Sequence, residues 1–188
     1  HPNVLLVSID SLRADHLGAY GHENDTSPTI DALAREGALF ETAISSAPWT
    51  IPAHATMLSG LPPEVHGVTS YQRSLAPEAI TLAEVLRDAG YATAAFVSGP
   101  TVMAQYGFDQ GFASYDESMV EPDRNKSARG QTSPGLVTLV DGFLRRWNDD
   151  GRKAPFFVFL HMWDVHYDYA PPPPYDRMFD PDYRGDVT

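Results

Sequence analysis

The chain contains no cysteine among its 188 residues. Disulfides, zinc–thiolate sites and a cysteine nucleophile are therefore excluded, and the redox compartment is left open. Positive charge is scarce as well: 13 Lys and Arg stand against 25 Asp and Glu, for a net charge of −12. So acidic a polypeptide is a poor candidate for nucleic acid or for anionic membrane surfaces. No apolar run is long enough to span a bilayer, and no basic-then-apolar leader opens the chain. There is no internal repeat, and the prolines from Pro171 to Pro174 are too few to form a low-complexity tract. What is present is 43% hydrophobic. That is enough to bury a core, and a single domain is expected at this length.

The apolar residues that do occur alternate between strand-like and helix-like patterns. Val4 to Ile9 is a near-continuous apolar run, which predicts a parallel strand buried on both faces, with Asp10 at its carboxyl end. Ser27 and Pro28 start a helix that runs to Glu36 and stops at Gly37. Ala38 to Ile44 reads as a short strand. Thr81 to Glu84 is a capping box opening a helix to Ala89, which Gly90 ends, and Tyr91 to Val97 is the next strand, with Ser98 at its carboxyl end. From Tyr106 to Gly130 periodicity is lost. Leu136, Leu139, Val140, Phe143, Leu144 and Trp147 then mark one face of a helix. Pro155 to Leu160 is the most apolar strand, followed by a segment rich in His and Asp. Strands alternating with helices predict an α/β fold with a mostly parallel sheet.

The stretch from Ala47 to Gly60 organises the rest. Pro52 fits only the first turn of a helix, where no acceptor waits for its missing N–H, Ala53 to Ser59 continue that helix, and Gly60 ends it. Thr50 thus falls at the helix mouth, where free N–H groups and the positive end of the dipole can hold an anion. A capping role for Thr50 and a catalytic one are both compatible with this position. Ligands gather at the carboxyl ends of strands in open α/β sheets, which makes Asp10 a second candidate. Its bland alternative is to cap the turn that follows. His161, Asp164 and His166 cluster after the last strand and could ligate a metal or bind an oxyanion, against the alternative of an aromatic loop stiffened by prolines. His66 and Ser98 are weaker candidates, with structural roles equally open.

Taken in order, these segments resemble the N-terminal part of the sulfatase family in the alkaline phosphatase superfamily. The resemblance rests on Pro2 to Gly18, on Thr50 to Gly60 followed by His66-Gly67-Val68, on Gly90 to Thr93, and on Asp164-Val165-His166 with Tyr169 and the prolines. It implies an alkaline-phosphatase-like sandwich, a mostly parallel sheet flanked by helices. Residues 1–188 would form the N-terminal portion of one catalytic domain, with the remaining metal ligands on a later strand.

The resemblance also implies departures where chemistry is decided. Thr50 occupies the position of the Cys or Ser that becomes formylglycine, and threonine cannot form that aldehyde. His54 replaces an Arg, Val97-Ser98 replace a Gly-Lys pair, and Ser11 replaces an acid beside Asp10. Threonine nucleophiles occur in phosphoryl-transferring relatives, where a metal lowers the hydroxyl's pKa. By resemblance, Asp10 and Thr50 share a divalent metal, His166 contacts the ester's non-bridging oxygens, and His54 orients Thr50 or acts as base. Oxygen donors favour Ca²⁺ or Mg²⁺, and a histidine ligand would shift the choice to Mn²⁺ or Zn²⁺. The expected function is hydrolysis or transfer of a sulfate or phosphate ester of a small molecule, glycan or lipid. The alternative is a catalytically silent module that binds a ligand or partner.

Overall fold

The structure is a computed structural model that describes residues 1–121, 132–166 and 171–182. Four strands form one sheet in the order β1-β4-β2-β3: β1 (Val4–Ile9), β2 (Ala92–Val97), β3 (Ser114–Asp116) and β4 (Phe156–Met162). Every pairing is parallel. The helices are α1 (Pro28–Glu36), α2 (Thr50–Ser59), the short α3 (Pro63–His66), α4 (Leu82–Asp88) and α5 (Ser133–Asp149), with single 3-10 turns between them. No helix among the described residues is long and apolar enough to cross a membrane.

β4 and β2 take the middle of the sheet because both of their faces are apolar. Phe157, Phe159, Ala95 and Val97 face one way and join Ile51, Ala55 and Leu58 of α2 in the larger core. Val158, Leu160, Ala94 and Phe96 face the other way and meet Leu136 and the partly buried Leu139, Val140 and Phe143 of α5. This is the period of two expected of strands sandwiched between helices. The capping box is present as read: Thr81 Oγ1 accepts from the Glu84 N–H at 3.1 Å, and the Thr81 N–H donates to the Glu84 carboxylate at 2.9 Å. Gly60 closes α2 in the left-handed conformation, φ +71°, which costs a residue without Cβ nothing.

Some expectations need correction. β1 is an edge strand of the described sheet, and only its even-numbered residues pack on the core; Leu5 and Val7 are 53% and 44% exposed. The apolar run therefore did not imply burial on both faces. Ala38–Ile44 forms no strand, because no backbone among the described residues offers it a ladder, and Phe40 and Ile44 lie in solvent at 72% and 89% exposure. β3 falls inside the segment that lacked periodicity. Three residues are too few to show a pattern, and the strand is set by pairing with β2. β4 extends through Met162, which places His161 within the sheet rather than in the loop after it. Tyr169 lies outside the described residues.

Candidate functional site

The side-chain period of β1 leads from the core to the site. Val4 and Leu6 pack into the α2-side core, so Ser8 and then Asp10 emerge on that same side. Along β4, Phe157 and Phe159 set the parity that sends His161 the same way, with Ser8 and His161 in register on neighbouring strands. The carboxyl ends of two parallel strands thereby converge on the N-terminus of α2.

Thr50 is the first residue of α2. Trp49 is the N-cap, and no side chain caps this end. The Thr50 hydroxyl is turned away from the backbone and donates to Asp10 Oδ2 at 3.0 Å, so the capping alternative is not what the geometry shows. Asp10 is buried, and Ser11 Oγ donates to its other oxygen at 3.0 Å. Ser11 holds a left-handed backbone, φ +59°, to make that turn. For a residue with a side chain this costs on the order of 1 kcal/mol or more. Burial, the largest influence on Asp10, pushes its pKa up. The close approach of His161, and then the hydrogen bonds from Thr50 and Ser11, outweigh it and hold the carboxyl below its ordinary range.

His54 meets Thr50 at its carbonyl, not its hydroxyl. Nδ1 lies 2.8 Å from Thr50 O, and Nε2 lies 2.9 Å from Ser8 Oγ. A carbonyl only accepts, so Nδ1 carries the proton and the serine hydroxyl donates to Nε2. Burial first, then the neighbouring His161, pushes the His54 pKa down to about 4. The ring is neutral at pH 7 and both its nitrogens are engaged. His161 is fully buried, its ring centroid 5.0 Å from that of His54. Neither His161 nitrogen has a hydrogen-bond partner, and Nε2 is 3.4 Å from Asp10 Oδ2. That distance is longer than a good hydrogen bond. Gly99 makes room for this ring: a Cβ there would stand 2.5 Å from His161 Cε1.

A cavity of about 470 Å³ opens beside this group. Thr50 and His166 both line it, together with Trp49, Tyr71, Tyr106 and Trp163. The His166 ring stacks on Trp163 at 3.7 Å. The other candidates are built into the scaffold. Asp164 accepts from the Thr132 and Ser133 N–H groups at 2.8 and 2.9 Å and so caps α5. Ser98 accepts from the Trp163 N–H and donates to the His161 carbonyl, tying β2 to β4. His66 Nδ1 accepts from the Val68 N–H, and the residue is not part of the cavity wall. Sequence reasoning missed Ser8 and the aromatic wall. The first could have been found by stepping back two residues from Asp10. Trp49 and Tyr71 carried no local signal.

Asp10, the Thr50 hydroxyl and the unpaired His161 nitrogen make a donor set that suits a divalent cation. Among the described residues, no three His, Cys, Asp or Glu side chains converge as a metal cluster.

The parallel sheet with helices on both faces is an alkaline-phosphatase-like fold, as superposition on solved structures shows. The phosphonate monoester hydrolase of Agrobacterium radiobacter superposes with a TM-score of 0.76 at 24% identity, covering 96% of this chain and 44% of its own. The sulfatase family model matches residues 2–186, and the chain belongs to that family. Mouse (Mus musculus) steryl-sulfatase is 35% identical over 104 residues, which is 50% of this chain and 17% of that protein. An arylsulfatase of Clostridium perfringens is 34% identical over 93 residues, 49% of this chain and 19% of its own. The chain thus spans about a fifth of the length of these curated relatives.

Proposed function

We propose that this chain is the nucleophile-bearing portion of a metal-dependent hydrolase or transferase acting on sulfate or phosphate esters, with Thr50 as the attacking group. The reading takes residues 1–188 as part of a larger catalytic domain. The share of the relatives' length that the chain covers is consistent with this. The observation that carries the proposal is the Thr50 hydroxyl directed at Asp10 Oδ2, 3.0 Å away, at the mouth of α2.

In this reading the Thr50 oxygen bonds to the phosphorus or sulfur of the ester, and the bond to the alcohol oxygen breaks. The hydroxyl proton lies on the line to Asp10, which is ionised at neutral pH and can accept it. The N–H groups at the start of α2 face the site and offset charge on the non-bridging oxygens. In this reading His166, which lines the same cavity, contacts those oxygens. His54 is a positioning residue: it locks the Thr50 carbonyl to Ser8 and is too committed to serve as base. Asp10 and Thr50 would hold the cation, with His161 the nearest nitrogen donor. Bound there, a divalent cation would lower the hydroxyl's pKa and offset developing charge. Oxygen donors favour Ca²⁺ or Mg²⁺, and participation of His161 would favour Mn²⁺ or Zn²⁺.

The test is intact-mass and peptide-mapping spectrometry of the full polypeptide after incubation with a divalent metal and matched aryl phosphate and aryl sulfate esters. A metal-dependent adduct on Thr50, absent in Thr50→Ala, is the expected result, and the ester that yields it identifies the substrate class. Folded, metal-binding protein with neither adduct nor turnover would sink the proposal and favour a ligand-binding module.

A further inference from the structure

Ser11, the first residue past Asp10, stands in a conformation that its own side chain opposes. Its φ is +59°, in the left-handed region, where a Cβ crowds the backbone. At seven other left-handed positions among the described residues the chain uses glycine. Arg152, the other exception, bonds its side chain to Asn148 and lays it over the Trp147 ring. Ser11 is exposed, so its side chain fills no space in the core. Glycine would make the same turn without strain. What glycine would lack is the hydroxyl.

That hydroxyl donates to Asp10 Oδ1 at 3.0 Å, while the Thr50 hydroxyl donates to Oδ2 at 3.0 Å. Each oxygen of the carboxylate is thus held by a different hydroxyl. The division matters because the torsion that turns an aspartate carboxylate about its Cβ–Cγ bond is soft. The end of the sheet fixes where Asp10 starts, since its N–H donates to the Met162 carbonyl of β4 at 2.9 Å. It does not fix which way the carboxylate plane faces. With Oδ1 anchored, Oδ2 stays on the line to the Thr50 hydroxyl. With Oδ1 released, that line depends on Thr50 itself and on the longer approach of His161 at 3.4 Å.

We propose that Ser11 is a positioning residue for the reaction at Thr50: its hydroxyl sets the plane of the Asp10 carboxylate, and the strained turn is retained to deliver that hydroxyl. Strain of this kind persists where the surroundings hold it in place, and it gathers at working sites. The inference deepens, and rests on, the reading of Asp10 as acceptor of the Thr50 proton. Ser11 does not line the cavity beside Thr50 and acts through Asp10.

The experiment compares Ser11→Gly, Ser11→Ala and Ser11→Thr with wild type in the full polypeptide. It reads the melting temperature of metal-free protein, and kcat and KM at saturating divalent cation on the aryl ester that Thr50 processes. Ser11→Gly and Ser11→Ala both remove the hydroxyl, and each should lose about tenfold in kcat, the worth of one hydrogen bond. Glycine relieves the turn and alanine does not, so Ser11→Gly should melt higher than Ser11→Ala. An equal loss of kcat in the two excludes a loosened backbone as its cause. Ser11→Thr keeps the hydroxyl on a β-branched residue that the turn tolerates worse. It should melt below wild type yet keep kcat within about twofold. KM should change little in all three. A kcat within about twofold of wild type in Ser11→Gly or Ser11→Ala would overturn the proposal, as would a kcat that follows melting temperature rather than the hydroxyl. Turnover that persists in Thr50→Ala would instead remove the reading beneath it.

Discussion

On the α5 side of the sheet, Ala94, Phe96, Val158 and Leu160 pack against Leu136, Leu139, Val140 and Phe143. On the α2 side, the same strands displaced by one residue bury Phe157, Phe159 and Ala95, and the carboxyl ends of β4 and the neighbouring β1 carry His161 and Asp10 to meet His54 and Thr50. Both faces gain from excluding water. The α2 face also uses that dryness to hold a carboxylate, a hydroxyl and two histidines close together, where electrostatic interactions are strong. The difference teaches that chemistry in this sheet is a matter of parity and strand end. A strand residue reaches the site only if it lies an even number of positions from Val4 on β1, or from Phe157 on β4, and past the apolar part of the strand.

The comparison can be broken most forcefully at Thr50. Thr50→Ala should lower turnover by at least about 10³-fold and leave the far-ultraviolet circular dichroism and the melting transition nearly unchanged. A modest loss would mean that the α2 face is not the chemical one. Leu136→Ala, on the α5 face, should do the reverse. It empties a fully buried site and should cost about 2–5 kcal/mol in denaturant unfolding, while turnover per folded molecule stays near wild type.

A third prediction concerns protons. His54 has its pKa lowered to about 4 from 6.5. Between those values the unfolded chain binds a proton that the folded chain rejects, so stability rises with pH across this window. The contribution is complete above about pH 6.5 and is lost as pH falls toward 4, on the order of 3 kcal/mol in all. Unfolding of metal-free protein at a series of pH values should therefore show a flatter profile for His54→Gln than for wild type. Parallel profiles would show that the α2 face does not hold His54 neutral. The smallest effect is expected away from both faces. Thr81→Ala removes the capping box of α4 and its bond to the Gln110 carbonyl, and should cost about 1–2 kcal/mol without altering KM.

Much of this was legible in the residues. The strand from Val4 to Ile9, the helix from Pro28 to Glu36, the capping box at Thr81 and the termination at Gly60 all follow from local rules, and the structure agrees. The same rules failed where a partner decides. Ala38–Ile44 had strand-like composition and no ladder to join, whereas Ser114–Asp116 had no pattern and did. At the site, Asp10 and Thr50 were marked by strand end and helix start, and they meet. Asp164 looked equally suited to chemistry until Thr132 and Ser133, more than thirty residues earlier, claimed its oxygens.

What the sequence determined alone is what neighbours along the chain can enforce: where strands and helices begin and end, that Thr50 opens a helix, that Asp10 closes a strand, and membership of a family through the order of its segments. Only the tertiary structure decided which face each strand turns to α2, that His54 grips the Thr50 carbonyl rather than its hydroxyl, that His161 lies inside the sheet, and that Tyr71 joins Trp49 in a wall. The physical reason is range. Backbone dihedrals and caps act within a few residues, while parity, burial and side-chain pairing are settled between segments far apart in the chain, once the core has closed around them.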